Sequence, residues 1–243
     1  MAQFAGFRDR EQRVAKDITR TDRTLAFYRG DGGDGVGHNE NVEKLGRILM
    51  TYSFWNFDVG YVQGMNDLLS PILFMFQGDE AEAFWSLVAV MRSRAKLFDS
   101  DQAGMSQELE MLGYALQLVD PDFHAYLRSV DAANAFFAYR WFLCCFKREL
   151  TFRDTLRLWE VLWSRHLTDR MQTFVAVALI MSLSEEIVAK QLHFDEILQL
   201  VNSHRVTDLD AVLADAERYY MLFHRRLATA PAVPPNVRAF FDC

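Results

Sequence analysis

The sequence predicts an all-α fold for its 243 residues. Between about residue 39 and residue 228 the apolar residues recur at helical spacing, and no long segment alternates with the period of two that a half-buried strand requires. Helix-start signals also precede the apolar runs, as where Glu82 follows Asp79 by three residues and Asp154 follows Thr151 in the same way. Because 51% of the residues are hydrophobic, the helices can enclose a sizeable core.

The first half of the chain supplies helices in a clear order. One helix ends near residue 20, and the first long helix is predicted over about 41–57. Its apolar stripe consists of Val42, Leu45, Leu49 and Tyr52. The apolar segment 64–76 follows, and Pro71 predicts a kink or a restart there because proline lacks the amide hydrogen that a helix interior uses. Further helices are expected over 79–93, 106–119 and 121–130, the last opened by Asp120 and Pro121.

The second half of the chain continues the helical pattern. Residues 134–150 are apolar on nearly all sides, which predicts a central buried helix. Later helices are expected over residues 151–163, 169–189, 194–203 and 208–228. Residues 229–243 contain three of the five prolines and are predicted to form an extended tail. We therefore expect one domain of roughly ten helices over residues 1–228, followed by that tail.

Composition and charge exclude several classes of function. The formal net charge of −7 makes the chain a poor candidate for sequence-independent binding of DNA or RNA, because such binding depends on neutralising phosphates. Cys144, Cys145 and Cys243 cannot form a disulfide framework, which predicts a reducing compartment. The longest apolar run, 174–181, is far shorter than the roughly 20 residues that cross a bilayer, and the N-terminus lacks the apolar core of a signal peptide. We expect a soluble, cytoplasmic protein.

Motifs for nucleotide, metal and hydrolytic sites fail in this sequence. Gly30, Gly32 and Gly35 satisfy the G-x-G-x-x-G spacing, but they follow a helical segment and alternate with Asp31 and Asp34, which repel phosphates. The sequence contains no G-x-x-x-x-G-K-[ST], no H-E-x-x-H and no G-x-S-x-G, and its six histidines never pair at ligand spacing. We expect no metal site and no cofactor of the chain's own.

Two short segments remain as candidates for a functional site. In VAKDITRTDRT, Asp17 and Arg20 lie three residues apart near a helix end. In YVQGMND, Tyr61 and Gln63 are followed by Gly64. An ordinary ion pair worth about 0.2–0.5 kcal/mol also explains Asp17 and Arg20, and a helix-capping amide also explains Gln63. Neither segment establishes a function by itself.

Together, the two segments resemble the TBC domain, the GTPase-activating domain that acts on Rab proteins. The family's arginine motif reads I-x-x-D-x-x-R, and this sequence has Val14, Asp17 and Arg20 at those positions. The glutamine motif reads Y-x-Q, which is matched by Tyr61 and Gln63. The segments RTDRT, FWSLV, RWFLCCFKREL and LRLWEVLW also resemble family segments in family order. The resemblance covers most of the chain to about residue 228.

The resemblance implies a GTPase-activating protein for Rab GTPases, which is not an enzyme by itself but supplies catalytic residues in trans. By carry-over of the motifs, Arg20 is the arginine finger and Gln63 is a glutamine finger that replaces the GTPase's own glutamine. Asp17 is the supporting carboxylate that orients neighbouring basic groups, while Tyr61 and Gly64 shape the glutamine turn. The implied partner is a GTP-bound Rab, which itself carries GTP and Mg²⁺.

Two alternatives stay open at this point. A catalytically silent TBC module would bind a Rab or a scaffold without stimulating hydrolysis, although the presence of both fingers argues against it. A helical scaffold with no GTPase partner would form no GTP-dependent complex. For an active domain, the resemblance implies a role in vesicle trafficking and leaves peripheral recruitment to endomembranes through the Rab open.

The N-terminal region departs from the family pattern. The family usually begins with further helices and a tryptophan-bearing segment before the arginine motif, whereas nineteen residues precede Arg20 here, so the N-terminus is either trimmed or naturally short. The basic residues around Arg20 suit attraction to a phosphate-bearing partner. Arg8, Arg10 and Arg13 are expected to be solvated. The glycine-rich loop 30–37 is expected to be mobile and close to the site.

Overall fold

A computed structural model describes residues 2–32, 35, 37–99 and 101–241, with side chains from residue 7 onward. This part of the chain contains thirteen α-helices, one 3-10 helix and no strand, which confirms the predicted all-α fold. The chain divides into two compact units, Met1–Gln102 and Ala103–Cys243. Each unit has buried apolar side chains of its own.

The first unit consists of four helices, which are α1 (Ala2–Ile18), α2 (Glu40–Trp55), α3 (Met65–Met75) and α4 (Glu80–Phe98). α1 packs on α2 and α3, and both of these pack on α4. The apolar stripe predicted along α2 is buried. The sequence indicated only where α1 ends, and the structure shows that the helix has 17 residues. Among its described side chains only Val14 and Asp17 are buried, so no apolar stripe marked its length.

The second unit contains the other nine α-helices and the 3-10 helix. These are α5 (Ala103–Val119), α6 (Pro121–Ser129), the 3-10 helix (Phe136–Ala138), α7 (Tyr139–Leu143), α8 (Phe152–Ser164), α9 (Met171–Met181), α10 (Ser184–Ala189), α11 (Phe194–Ser203), α12 (Leu209–Thr229) and α13 (Pro235–Phe240). α5, α9 and α12 pack on one another. Every residue of α9 from Thr173 to Ile180 is buried, so this helix forms the centre of the unit.

Local capping chemistry sets several helix starts where the sequence predicted them. Asp79 accepts hydrogen bonds from two amides of the first turn of α4, Asp120 accepts one in α6, and Thr151 accepts one in α8. By contrast, α3 passes Pro71 without restarting. Its residues from Met65 to Leu73 are all buried, and this packing compensates for the hydrogen bond that proline cannot make.

Residues 134–150 do not form the single buried helix that the sequence predicted. The chain leaves the helical conformation after α7, where Cys145 and Phe146 adopt φ angles of 49° and 59°. The indole nitrogen of Trp159 donates a hydrogen bond of 2.9 Å to the Cys145 carbonyl oxygen at this break. Apolar composition therefore predicted the burial of most of this segment, although Asn134 and Phe136 are exposed, and the break is bonded by a residue of another helix.

Two further segments differ from their predicted conformations. The helix expected over 169–189 is divided into α9 and α10, because the amide of Leu183 bonds the Ile180 carbonyl in a tight turn between them. The tail 229–243, expected to be extended, contains α13. The ring of Phe241 lies 4.5 Å from that of Phe223 in α12, so burial of aromatic side chains favours a folded tail.

The structure also bears on three smaller predictions, which concern a membrane-spanning helix, the cysteines and the glycine-rich loop 30–37. Within the described ranges, no helix has the length and apolar character needed to span a membrane. Cys144 and Cys145 are buried and not disulfide-bonded, whereas Cys243 lies outside the described residues. Gly33, Asp34 and Val36 of the predicted mobile loop also lie outside them.

Candidate functional site

The arginine segment leaves α1 through a tight, capped turn. The amide of Arg20 bonds the Asp17 carbonyl at 3.2 Å, and the amide of Thr21 bonds the Ile18 carbonyl at 3.3 Å. The Thr21 hydroxyl donates to the same Asp17 carbonyl at 2.7 Å. These bonds satisfy the last carbonyls of the helix and fix the backbone on both sides of Arg20.

The Asp17 carboxylate joins the two sequence motifs. Asp17 is 5% exposed, and its Oδ1 accepts a hydrogen bond of 2.5 Å from the Arg20 guanidinium. Its Oδ2 accepts a hydrogen bond of 2.6 Å from the Tyr61 hydroxyl. A buried carboxylate requires such partners, since burying an unpaired charge is costly. The arginine motif and the glutamine motif therefore meet at one side chain.

Tyr61 is a buried hydrogen-bond donor in this arrangement. Burial raises the pKa of its hydroxyl far above the usual value, and the hydrogen bond to Asp17 and the charge of that carboxylate raise the pKa further. The hydroxyl therefore stays protonated at physiological pH and donates a hydrogen bond to Asp17. Gln63 follows Tyr61 by two residues, so the hydroxyl that bonds Asp17 belongs to the residue just before the glutamine turn.

The glutamine turn depends on a left-handed glycine. Gly64 precedes α3 with a φ angle of 107°, which residues with a Cβ rarely adopt. The amide of Met65 bonds the Val62 carbonyl at 3.1 Å, so the chain reverses around Gln63 and Gly64. The side chain of Gln63 is exposed, while Gly64 is buried.

Asn66 is a site residue that sequence reasoning missed. Its amide oxygen accepts a hydrogen bond of 3.2 Å from the Gly64 amide, and its amide nitrogen donates one of 3.0 Å to the Thr21 hydroxyl. Its amide oxygen also lies 3.2 Å from the Tyr61 hydroxyl. The available signal was a polar amide at the start of a helix that is otherwise apolar on nearly all sides.

Arg10 was also missed, because we expected it to be solvated. Its guanidinium donates hydrogen bonds to the Ser53 carbonyl at 2.6 Å and to the Phe57 carbonyl at 2.9 Å. It also lies over the Phe57 ring, 4.3 Å from the centroid. Arg10 therefore connects α1 to the loop that leads from α2 to Tyr61. Arg13, in contrast, forms an exposed ion pair with Asp9 on its own helix.

The cations of this region differ in how fully their donors are occupied. The guanidinium of Arg23 bonds the backbone carbonyls of Thr19, Tyr28 and Gly37 and thus holds its own loop. Arg20 is bound through one nitrogen to Asp17, and 55% of its side-chain surface is exposed. Its other N–H groups can donate hydrogen bonds to an acceptor outside the chain. Among the described residues, no group of three or more His, Cys, Asp or Glu side chains is placed to hold a metal ion.

Comparison with known proteins identifies similar chains. A family model described as "Rab-GTPase-TBC domain" matches residues 4–188, a range that includes all the candidate residues. GTPase-activating protein GYP7 of Yarrowia lipolytica is 35% identical over 237 residues, which cover 90% of this chain and 32% of that protein. Human TBC1 domain family member 17 is 37% identical over 226 residues, covering 93% of this chain and 33% of that protein.

The chain spans about a third of the length of these curated relatives. Among solved structures, the Ypt/Rab-GAP domain of Gyp1p superposes with a TM-score of 0.75 at 19% identity, covering 90% of this chain and 74% of that one. At this sequence identity the likeness shows a shared fold and nothing further. The predicted domain end at residue 228 stays a prediction.

Proposed function

This chain belongs to the Rab-GTPase-TBC domain family, and on that premise we propose that it accelerates GTP hydrolysis by a Rab GTPase, to which it supplies catalytic groups in trans. The observation that carries the proposal is the Asp17 carboxylate, which binds Arg20 on one oxygen and Tyr61 on the other. It joins the segment of the arginine to the turn of the glutamine, while the side chains of Arg20 and Gln63 remain exposed to a partner.

Arg20 is proposed as the arginine finger. During GTP hydrolysis negative charge builds on the phosphoryl oxygens, and a cation placed there lowers the barrier. The planar guanidinium donates several directed hydrogen bonds and stays charged when it loses water, which an ammonium group does less well. Because Arg20 uses one guanidinium nitrogen to bond Asp17, its other N–H groups can donate hydrogen bonds to phosphate oxygens. Such a finger is worth about 10³–10⁵ in rate, or about 4–7 kcal/mol.

Gln63 is proposed as the group that orients the attacking water. A carboxamide can accept a hydrogen bond from that water while it donates one to a phosphate oxygen. Because the amide is neutral, it adds no charge to an anionic site. The exposed position of Gln63 on a turn fixed by Gly64 suits this role, since the side chain must enter the nucleotide site of another protein.

Asp17 and Tyr61 are proposed as supporting residues that do not touch the substrate. The buried hydrogen bond from Tyr61 fixes the carboxylate, which in turn holds the Arg20 guanidinium through one of its nitrogens. In this proposal GTP and Mg²⁺ are held by the Rab, and the partner recognised is its GTP-bound form. Localisation would follow from the Rab, which would recruit the chain peripherally to a trafficking membrane.

Single-turnover GTP hydrolysis by a panel of purified Rab proteins tests the proposal. Each Rab is measured alone, with this chain, and with the Arg20→Ala variant. We expect one or a few Rabs to be stimulated and the stimulation to be lost with the variant. A folded chain that binds a GTP-loaded Rab without stimulating hydrolysis would instead support the catalytically silent module. A chain that binds no Rab in either nucleotide state would overturn the proposal.

A further inference from the structure

The Asn66 side chain forms a hydrogen bond with the residue directly after each proposed finger. It is 3% exposed and lies in the first turn of α3. Its amide nitrogen donates a hydrogen bond to the hydroxyl of Thr21, which directly follows Arg20. Its amide oxygen accepts a hydrogen bond from the backbone amide of Gly64, which directly follows Gln63. The Asn66 amide thus joins the turn of Gln63 to Thr21, which lies 45 positions before Asn66 along the chain.

The chemistry at both ends requires an amide in this orientation. The Thr21 hydroxyl donates a hydrogen bond to the Asp17 carbonyl at 2.7 Å, so its oxygen must accept the hydrogen bond from Asn66. The Gly64 backbone amide is a donor, so the other end of Asn66 must accept. An aspartate at this position would lack the donor and would bring a further buried carboxylate close to Asp17.

We propose that Asn66 is a positioning residue, which holds the segment of Arg20 and the turn of Gln63 in one mutual arrangement. This inference rests on the proposed function. Asn66 touches no substrate in it and acts through the two fingers. Because catalysis by positioning is sensitive to displacements of about 1 Å, which can cost about 10²-fold in rate, loss of the bridge should lower the rate at saturation.

The catalytic test compares Asn66→Ala with a matched pair at Thr21. Thr21→Val removes the hydroxyl at nearly constant volume, whereas Thr21→Ser keeps it. With a stimulated Rab, the rate at saturating activator is expected to fall about 10- to 100-fold for Asn66→Ala and Thr21→Val. Thr21→Ser should stay within about threefold of the native chain, and the activator concentration at half-maximal rate should change by less than about threefold throughout.

A merely structural role predicts a different pattern. Tyr126→Phe serves as the control, because it removes a 2.9 Å hydrogen bond to the Leu192 carbonyl within the second unit. If lost activity tracks the melting temperature across all variants including this control, Asn66 is structural and the inference fails. The inference also fails if Asn66→Ala changes only the half-maximal concentration, or if Thr21→Ser loses as much activity as Thr21→Val.

Amide hydrogen exchange of the chain alone tests the bridge without reference to activity. Thr21→Val should raise exchange at the Gly64 amide, in a peptide covering residues 61–66, while Thr21→Ser should not. Exchange that rises only in the peptide around residue 21 would overturn the inference even if the chain is an activator. Conversely, if exchange couples the two segments but the native chain stimulates no Rab, the proposed function fails and the bridge stands as structural.

Discussion

The Tyr61 hydroxyl donates a hydrogen bond of 2.6 Å to Asp17, although 44 positions separate the two residues in the sequence. Both are buried, and the second oxygen of the same carboxylate holds Arg20. Asp17 is therefore the point at which the arginine segment and the glutamine turn are connected. Of the two proposed fingers, Arg20 is bonded to this carboxylate through one nitrogen, and Gln63 follows Tyr61 by two residues.

Removing either proposed finger should abolish stimulation while leaving the fold intact. Arg20→Ala and Gln63→Ala are each expected to lower stimulated hydrolysis by more than about tenfold, because each removes a group that stabilises the transition state. Both side chains are exposed, so the circular dichroism signal and the melting temperature should change little. A large loss of helix in either variant would show that the residue is structural.

Tyr61→Phe should weaken both stability and stimulation at neutral pH. The variant leaves one oxygen of the buried Asp17 without its donor, which is expected to cost about 1.5–3 kcal/mol in the free energy of unfolding. It also frees the carboxylate that restrains Arg20, so stimulated hydrolysis should fall. Tyr28→Phe is a matched control, since Tyr28 is equally buried but donates to the Ser70 carbonyl at 2.7 Å. Its stimulated rate should stay within about twofold of the native chain.

The same two variants should alter the stability of the chain in alkali. Burial raises the pKa of both Tyr61 and Tyr28 above the ordinary value, so above about pH 10 the unfolded chain loses these protons while the folded chain keeps them. The folded state then binds more protons, and the free energy of unfolding falls as pH rises, by up to about 1.4 kcal/mol per pH unit for each group. Each Tyr→Phe variant should remove its share of this slope. Urea unfolding between pH 9 and pH 11 measures it, and an unchanged slope would contradict the buried, protonated hydroxyl.

Features set by neighbouring residues could be read from the sequence. The starts of α4, α6 and α8 are capped by side chains that accept hydrogen bonds from amides two or three residues later. Short motifs selected Arg20 and Gln63 as candidates, and apolar composition predicted the burial of most of residues 134–150.

Features set by distant residues could not be predicted in this way. The break at Cys145 depends on an indole donor fourteen positions later. The bridge from Asn66 to Thr21 depends on how α1 and α3 are packed. Arg10 donates hydrogen bonds to backbone carbonyls, which every residue type carries, so the sequence could not identify its partners. Its charge alone suggested a solvated residue.

Gly64→Ala should destabilise the glutamine turn. At a φ angle of 107° a Cβ introduces strain of about 1–3 kcal/mol, so the melting temperature and the stimulated rate should both fall. Gly46→Ala is the control, because Gly46 lies inside α2, where alanine is favoured. Its new Cβ would lie 3.0 Å from the flexible end of the Ile18 side chain, so its stability should stay within about 1 kcal/mol of the native chain. Equal melting temperatures for the two variants would contradict the strained turn.

Arg10→Ala should lower the free energy of unfolding more than Arg13→Ala, although both variants remove an arginine from α1. Arg10 holds the Ser53 and Phe57 carbonyls and stacks on the Phe57 ring, and loss of these contacts should lower the free energy of unfolding by about 1–2 kcal/mol. Arg13→Ala removes an exposed pair with Asp9, which is worth less than about 0.5 kcal/mol.

Arg10→Lys distinguishes the planar fork from charge alone. Lysine keeps the positive charge but cannot bond two carbonyls as the guanidinium does, so it should recover less than half of the loss in urea unfolding. Because the loop that Arg10 holds leads into Tyr61, stimulated hydrolysis should fall with Arg10→Ala and remain unchanged with Arg13→Ala. Full recovery by lysine would show that Arg10 acts through its charge, and the loop would then not depend on the carbonyl contacts.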